Sequence, residues 1–245
     1  MSQPAALPRL VTTQAAAEAR LTLRRSENLL AVVVLPAAAL WVLGSLVPGG
    51  RSLESVLPGV LALALVASGL VNLAIATGYE RGYGVLKRLG GTPLGRDGLL
   101  AAKLGVVGVI ALIQVVALIG LATVMGWRPG PGGWSVVAVL VALLVGSATF
   151  ASIGLLLAGT LRPEATLVVA NVLFLVALVL GGVLVPVPDL PATLETVAVL
   201  SPIGALAEAF RAALGAGGDY LTSLAVVAIW GIVAAVGAIR LFHWD

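Results

Sequence analysis

The chain has 245 residues, of which 60% are hydrophobic and only 10% are charged, and its mean hydropathy is +1.13. Soluble domains carry about 25% charged residues, so this composition excludes an ordinary soluble domain and indicates an integral membrane protein. The formal net charge is +3, and the lack of cysteine excludes disulfides and thiolate metal sites.

Six apolar stretches are long enough to cross a bilayer as helices, since about 20 residues at 1.5 Å each cover ~30 Å of hydrocarbon. Their leucine, valine and alanine blocks are continuous, whereas the strands of a barrel would alternate over ~10 residues. We therefore predict an all-α integral membrane protein with one transmembrane domain over residues 1–245. The predicted spans are residues 29–47, 56–78, 104–125, 135–161, 165–186 and 221–241.

The first 28 residues are polar and charged, unlike a secretory signal, whose apolar core comes earlier. Leu10, Gln14, Ala17 and Leu21 fall on one side of a helix that ends in two arginines. We predict an amphipathic N-terminal helix on the inner membrane surface. It would either anchor the chain to membrane lipids or contact a cytoplasmic partner, and the residues alone leave both roles open.

The distribution of lysine and arginine predicts the orientation of the spans. Eleven of the 14 basic residues lie in the N-terminus, the second and fourth connections and the C-terminus. Because positive residues stay in the cytoplasm, both termini are predicted to face the cytoplasm. The positive charge is then a topological signal, and it does not indicate nucleic-acid binding. The eleven residues are Arg9, Arg20, Arg24, Arg25, Arg81, Lys87, Arg88, Arg96, Lys103, Arg162 and Arg240.

No Asp, Glu, Lys, Arg or His lies near the middle of a predicted span. Such residues mark proton relays and ion sites, so their absence argues against a proton-driven carrier and a hydrolase within the membrane. The sequence has no GxxxxGK[ST] loop for nucleotide phosphates, and the single histidine, His243, makes no metal site. Among neutral polar residues, Ser68, Asn72 and Asn171 are our candidates for a weakly polar lining that suits an amphiphilic molecule. The alternative is that they form hydrogen bonds between helices.

Small residues recur at spacings that suit close contact between helices. We expect helix packing at Gly78 with Gly82, at Gly105 with Gly108, and at Gly231 with Gly237.

Residues 79–98 form a basic stretch between the second and third spans, YERGYGVLKRLGGTPLGRDG. Tyr79, Tyr83, Leu86 and Leu89 share one helix face, which predicts that the second span continues as a short amphipathic helix. Gly90-Gly91 would break this helix. Thr92 would then cap the next helix, with Pro93 in its first position. This stretch is either a positive-inside anchor or a docking element for a cytoplasmic motor.

Residues 187–219 are predicted to form an outer loop that contains one short helix. Ser201 caps this helix, Pro202 begins it and Gly215 ends it. Glu208 and Arg211 are placed to pair at i, i+3. Its apolar stripe predicts a helix that lies at the outer membrane interface or dips into it.

Three segments resemble motifs of the type-2 ABC exporter permeases, which export drugs, lipids and polysaccharides. The cytoplasmic pattern E-R-E-x-G-T-L-E-x-L-x-x-T-P-L is matched by Glu80, Arg81, Gly84, Leu86, Leu89, Thr92, Pro93 and Leu94. The sequence departs from it at Gly82 and Lys87, where the family often has Glu, and at Val85, where it has Thr. The outer pattern L-S-P-x-x-x-x-x-E-A-x-R is similar to residues 200–211, and residues 183–191 resemble the family's end of the fifth span.

The resemblance implies a complex of two permease chains and two ATPase chains in a bacterial cytoplasmic membrane. ATP and Mg²⁺ would bind to the ATPase, and this chain would hold no cofactor and catalyse no reaction. It would be an exporter of an amphiphilic drug, lipid or glycan, its second permease being another copy or a paralogue. Ser201, Pro202, Glu208 and Arg211 would belong to an outer gate. The residues that would couple the permease to the ATPase are Glu80, Arg81, Gly84, Leu86, Lys87, Arg88, Leu89, Thr92 and Pro93.

Two other functions are compatible with the residues. An ion-independent secondary or facilitative carrier would carry an internal repeat or an ion site, and the sequence shows neither clearly. A membrane assembly subunit with no transport role is also consistent with neutral span interiors. A cytoplasmic ATPase partner distinguishes the exporter from both.

Overall fold

The computed structural model describes residues 10, 12–16, 34–46, 52–93, 95–130, 132, 134–185 and 187–243. All regular structure in these ranges is helical, which confirms the all-α prediction. The α-helices are α1 Leu35–Trp41, α2 Leu53–Leu65, α3 Leu73–Gly82, α4 Val85–Gly90, α5 Gly95–Val124, α6 Val136–Thr160, α7 Pro163–Leu180, α8 Ala192–Leu200, α9 Pro202–Ala213 and α10 Tyr220–Leu241. Two π-helical segments, Val42–Leu46 and Val66–Asn72, and a short 3₁₀ turn, Val187–Asp189, complete the order.

Five helices are long and apolar enough to cross a membrane, which confirms five of the six predicted spans. Of the first predicted span, residues 34–46 are helical, and the residues on either side lie outside the described ranges. The predicted N-terminal helix also lies mostly outside them, although residues 12–16 are helical. The five helices are Leu53–Gly82, Gly98–Val124, Val136–Thr160, Pro163–Leu180 and Tyr220–Leu241.

The second span is the centre of the bundle. Its first half is buried on every side from Val56 to Leu70, because α9, α5 and α6 all pack around it. The π segment crosses α6 closely, and a Cβ added at Gly154 would lie 2.8 Å from the Gly69 carbonyl oxygen. Such an approach requires glycine, so Gly154 fixes the distance between the second span and α6.

Most of the small-residue contacts predicted from the sequence are confirmed. A Cβ at Gly78 would meet Thr166 at 3.5 Å, and one at Gly237 would meet Leu156 at 3.3 Å. Gly82 and Gly231 likewise face Pro163 and Thr149. At Gly105 and Gly108 no described atom of this chain lies within 4 Å of an added Cβ, so the contact predicted there is not made among the described residues. Helical spacing gives the face of a glycine, but it does not give a helix to fill that face.

The outer segment contains two helices instead of the one predicted. α8 and α9 are joined at Ser201 with a bend of 85°, which makes them a broken span or a re-entrant loop. α9 begins as predicted, since Ser201 Oγ accepts a hydrogen bond from the Gly204 N–H at 3.1 Å and Pro202 occupies the first position. Gly215 follows the helix with φ of 82°, as a helix end requires.

The loop between α5 and α6 covers the end of α9. The last carbonyl groups of a helix have no partner within it. Here the N–H groups of Gly130, Gly132 and Ser135 donate to the carbonyl oxygens of Leu214, Gly215 and Ala213 at 3.1, 3.2 and 2.9 Å. These bonds fasten the outer helix pair to the top of the bundle.

α10 is capped at its N-terminus by Asp219. The Asp219 carboxylate accepts hydrogen bonds from the hydroxyl and the N–H of Thr222, the latter at 3.2 Å. These two donors hold the pKa of Asp219 below its ordinary value. The carboxylate is therefore charged near neutral pH, where it complements the positive end of the helix dipole.

Candidate functional site

The connection between the second and third spans is a compact hairpin, residues 79–93, which we call the inner hairpin. α3 ends at Gly82, Gly84 turns the chain with φ of 69°, and α4 follows. The predicted continuous helix from Tyr79 to Leu89 is therefore wrong, because Gly84 adopts a left-handed conformation that glycine accepts at little cost.

The start of the third span also differs from the prediction. α5 begins at Gly95, so Thr92 is not its N-cap and Pro93 is not its first residue. The Thr92 hydroxyl instead donates to the Leu89 carbonyl oxygen at 2.6 Å, and the Gly95 N–H donates to the Thr92 carbonyl oxygen at 3.1 Å. Thr92 and Pro93 are exposed in the turn that follows the Gly90-Gly91 break, which occurs as predicted.

Arg81 faces the bundle and fastens the hairpin to α6. Its Nη1 donates to the Gly159 carbonyl oxygen at 2.6 Å, and its Nη2 donates to the Leu161 carbonyl oxygen. A cation is favourable at a helix C-terminus, where the carbonyl groups have no helical partner. The His243 N–H donates to the same Gly159 oxygen at 3.1 Å. One acceptor therefore joins the hairpin, the end of α6 and the C-terminal segment.

Glu80 forms an ion pair with Lys103, with 2.7 Å between Oε2 and Nζ. Lys103 is only 3% exposed, while the Glu80 side chain is 25% exposed. The pair joins α3 to α5 across the base of the hairpin. The sequence did not reveal it, because Lys103 was counted only as a basic residue of the connection. Its position directly before the third apolar stretch was the available signal.

The hairpin has one face toward the bundle and one away from it. Leu86 is 1% exposed and packs in an apolar cluster with Leu99, Leu89 and Phe242. Tyr83, Lys87 and Arg88 are exposed on the other side. The nine predicted coupling residues thus fall into three groups. Glu80, Arg81 and Leu86 hold the hairpin to the bundle, and the others form a turn or an exposed surface. Gly159 and Phe242, which contact the hairpin from far along the chain, were not among the predicted residues.

The candidate lining residues do not share one environment. Ser68 is 2% exposed, and its hydroxyl donates to the Ala64 carbonyl oxygen within its own helix at 3.0 Å. Asn72 is half-buried and Asn171 is exposed, with its Nδ2 donating to the Leu167 carbonyl oxygen at 2.8 Å.

Asn72 and Asn171 lie at the same depth. α3 and α7 touch at Gly78 and Thr166, and the two helices run in opposite directions. Asn72 is six residues from Gly78 and Asn171 is five residues from Thr166. At 1.5 Å per residue, both amides lie about 8 Å along their helices from this contact, in the same direction. Two of the three lining candidates, Asn72 and Asn171, therefore lie at the same level of the bundle, whereas Ser68 is buried in the core.

The outer residues Ser201, Pro202, Glu208 and Arg211 all belong to α9 or its cap. Arg211 Nε donates to Glu208 Oε1 at 3.1 Å, which confirms the predicted pair. Their side chains are only 13% and 14% exposed. The pair is therefore packed within the bundle.

A comparison with protein-family models matches the ABC-2 type transporter model over residues 9–214. The chain belongs to this family, as its motifs indicated, and it is therefore a membrane permease of ABC-type transport. Members of the family are transport subunits that normally work with an ATPase partner. Searches of curated proteins and of solved structures gave no match.

Proposed function

We propose that this chain is the membrane subunit of an ATP-driven exporter of amphiphilic molecules in a bacterial cytoplasmic membrane. It would work with a second permease, either a copy of itself or a paralogue, and with a separate ATPase that binds ATP and Mg²⁺. The observation that carries this proposal is the two-faced inner hairpin. Its Tyr83, Lys87 and Arg88 face away from the bundle, while Glu80, Arg81 and Leu86 hold it to α5, α6 and the C-terminal segment.

This arrangement suits the transmission of motion. A surface that only anchored the chain to lipid would not require an ion pair and a guanidinium bridge beneath it. An ATPase that moves α4 would displace α3 and α5 through the Glu80–Lys103 pair and α6 through Arg81. Lys87 and Arg88 give the exposed face a positive charge, which favours an acidic docking surface on the ATPase.

The first test is copurification of the tagged chain with its ATPase in mild detergent. We expect Arg88→Glu to reduce ATPase recovery about tenfold, because charge reversal at the rim of an interface weakens association. Arg162→Glu is the matched control, since Arg162 is an exposed arginine on the same predicted side, outside the hairpin. Membrane insertion of both variants should be unchanged.

Two outcomes would contradict this assignment. Equal ATPase recovery with both variants would move the docking surface away from the hairpin. A complex without any ATPase, reproduced after crosslinking, would favour a facilitative carrier or an assembly subunit. The hairpin would then be a membrane-surface anchor.

We also propose that Asn72 and Asn171 line the translocation path. The inner half of the second span is open on one side, where Asn72, Ile75 and Tyr79 are half-buried and Tyr83 is exposed. Asn171 adds a second amide at the level of Asn72. Lipid offers an amide no hydrogen-bond partner, so two amides at this depth favour a hydrated or partner-lined space over bare hydrocarbon.

Cysteine labelling tests this path without knowledge of the substrate, because the chain has no native cysteine. We expect Asn72→Cys and Asn171→Cys to react at least ~10-fold faster with a water-soluble thiol reagent than Ile232→Cys, since only a thiolate reacts and hydrocarbon suppresses its formation. Ile232 is an exposed residue in the middle of α10. Equally slow labelling at all three positions would place both asparagines against lipid or another helix.

A further inference from the structure

An apolar cavity of about 310 Å³ lies between α7 and α10, beside the bend that joins α8 to α9. Its floor is formed by Val66, Leu70 and Phe150, which are 1–3% exposed. Val176 of α7 and Trp230 and Val233 of α10 stand at its mouth, and they are 45%, 45% and 61% exposed. α7 and α10 make no extensive contact with each other, so the cavity opens sideways between two spans.

The cavity offers no free polar group to a ligand. Its polar side chains are Ser201 and Trp230. Ser201 Oγ donates to the Ala198 carbonyl oxygen at 2.7 Å and accepts from the Gly204 N–H. Trp230 Nε1 donates to the Leu200 carbonyl oxygen at 2.9 Å. Recognition of a sugar, a nucleotide or an ion would require polar groups that are not already used within the chain.

Neither water nor empty space suits such a cavity. An ordered water needs two to four polar partners, which these walls do not supply. An empty cavity leaves its lining without van der Waals contacts and destabilises the fold in proportion to its volume. The mouth lies between Pro163–Leu180 and Tyr220–Leu241, both of which are long and apolar enough to cross a membrane. A crevice between two spanning helices is accessible to the hydrocarbon of the bilayer.

We propose that an acyl chain of a membrane phospholipid occupies this cavity as an integral part of the fold. The chain would enter between Val176 and Val233 and reach Phe150 at the floor. It would also contact Pro202 and Ile203 at the start of α9, and so support the 85° bend of the outer helix pair. This site does not depend on the ATPase or on the direction of transport.

The test is native mass spectrometry of the full chain after extensive washing in lipid-free detergent. We expect the wild-type chain to retain one phospholipid per copy. Ala177→Leu combined with Ala234→Leu should lose that lipid, since both alanines line the cavity and are 4% exposed. Ala225→Leu is the matched control, because Ala225 is exposed on α10 away from the cavity, and it should retain the lipid.

Thermal unfolding of the same proteins gives the second readout. Added dioleoylphosphatidylcholine should raise the wild-type Tm by roughly 5 °C at a hundredfold excess over its dissociation constant. It should change the Tm of the double variant little, since leucine fills the space. A double variant that keeps the lipid, or a wild-type chain that retains none, would overturn the proposal. A bound species that is not a phospholipid would also overturn it. So would a change in the oligomeric state when the two leucines fill the cavity, because that would mean that a second copy of the chain covers the cavity.

If the two leucines disturb folding, photolabelling of the wild-type protein with a reactive lipid tests the same proposal. Phosphatidylcholine with a diazirine near the end of one acyl chain is photolysed with the wild-type protein in vesicles. We expect adducts on Phe150 or Ile153 inside the cavity. Adducts confined to outward-facing residues such as Ile239, which is 81% exposed, would overturn the proposal.

Discussion

Glu80→Ala is expected to destabilise the purified chain by about 3 kcal/mol, because it removes the carboxylate beside a buried ammonium group. Lys103 is 3% exposed, so its charge cannot simply turn to water. The estimate is at the lower end for a buried pair, since the Glu80 side chain is itself 25% exposed. We also expect the variant to insert into the membrane and to fail in export, because α3 and α5 would no longer move together.

Thermal unfolding in detergent measures the first effect, and a variant in which both partners are replaced tests its cause. Glu80→Gln with Lys103→Met replaces both partners by neutral side chains of similar size, and it should recover most of the lost stability. Arg88→Glu is the control, because Arg88 is exposed on the same hairpin, and its Tm should change little. A double variant as unstable as Glu80→Ala would show that the ion pair is not the cause. Unchanged export by Glu80→Ala would remove the pair from coupling.

Gly204→Ala is expected to disrupt the outer helix pair. A Cβ at this position would clash with the Ala198 carbonyl group, lying 2.6 Å from its carbon, and would lie 3.0 Å from the Leu180 carbonyl oxygen. Both are backbone groups, which cannot move aside as a side-chain end does. We expect a loss of about 3 kcal/mol, typical of forced overpacking with backbone displacement.

Gly108→Ala is the matched control, since Gly108 is also a helical glycine but has open space before it. Its stability should be unchanged or up to ~1 kcal/mol higher, because alanine has the better helix propensity. Comparison of the two melting temperatures tests the bend directly. If Gly204→Ala were as stable as Gly108→Ala, the close approach of α9 to α8 and α7 would not exist in the folded protein.

The features predicted correctly from sequence are those that depend on local pattern. Continuous apolar length predicted five spans, and the order Ser201, Pro202, Gly215 predicted the start and end of α9. The Glu208–Arg211 pair followed from i, i+3 spacing. Each of these needs only one helix, so neighbouring residues contain the required information.

The missed features depend on residues far apart in the chain. Nothing near Lys103 shows that Glu80 lies beside it, and nothing near Gly159 shows that Arg81 and His243 share its carbonyl oxygen. α8 was missed because its first turn is polar and its helical pattern is short. The break at Gly84 was missed because the Tyr79–Leu89 stripe was compatible with an unbroken helix.

The π segment Val66–Asn72 has a further consequence for this family of sequences. A π turn accommodates one more residue than an α turn, and each residue rotates the following chain by about 100°. The outer and inner halves of the second span are therefore offset by roughly one residue. An alignment that treats Leu53–Gly82 as one uninterrupted α-helix would assign the wrong face to every position after Asn72. Deletion of a single residue within the segment would return it to an α-helix and keep Glu80 and Arg81 facing their partners, whereas the same deletion in the α-helical part of the span before it would turn them away by about 100°.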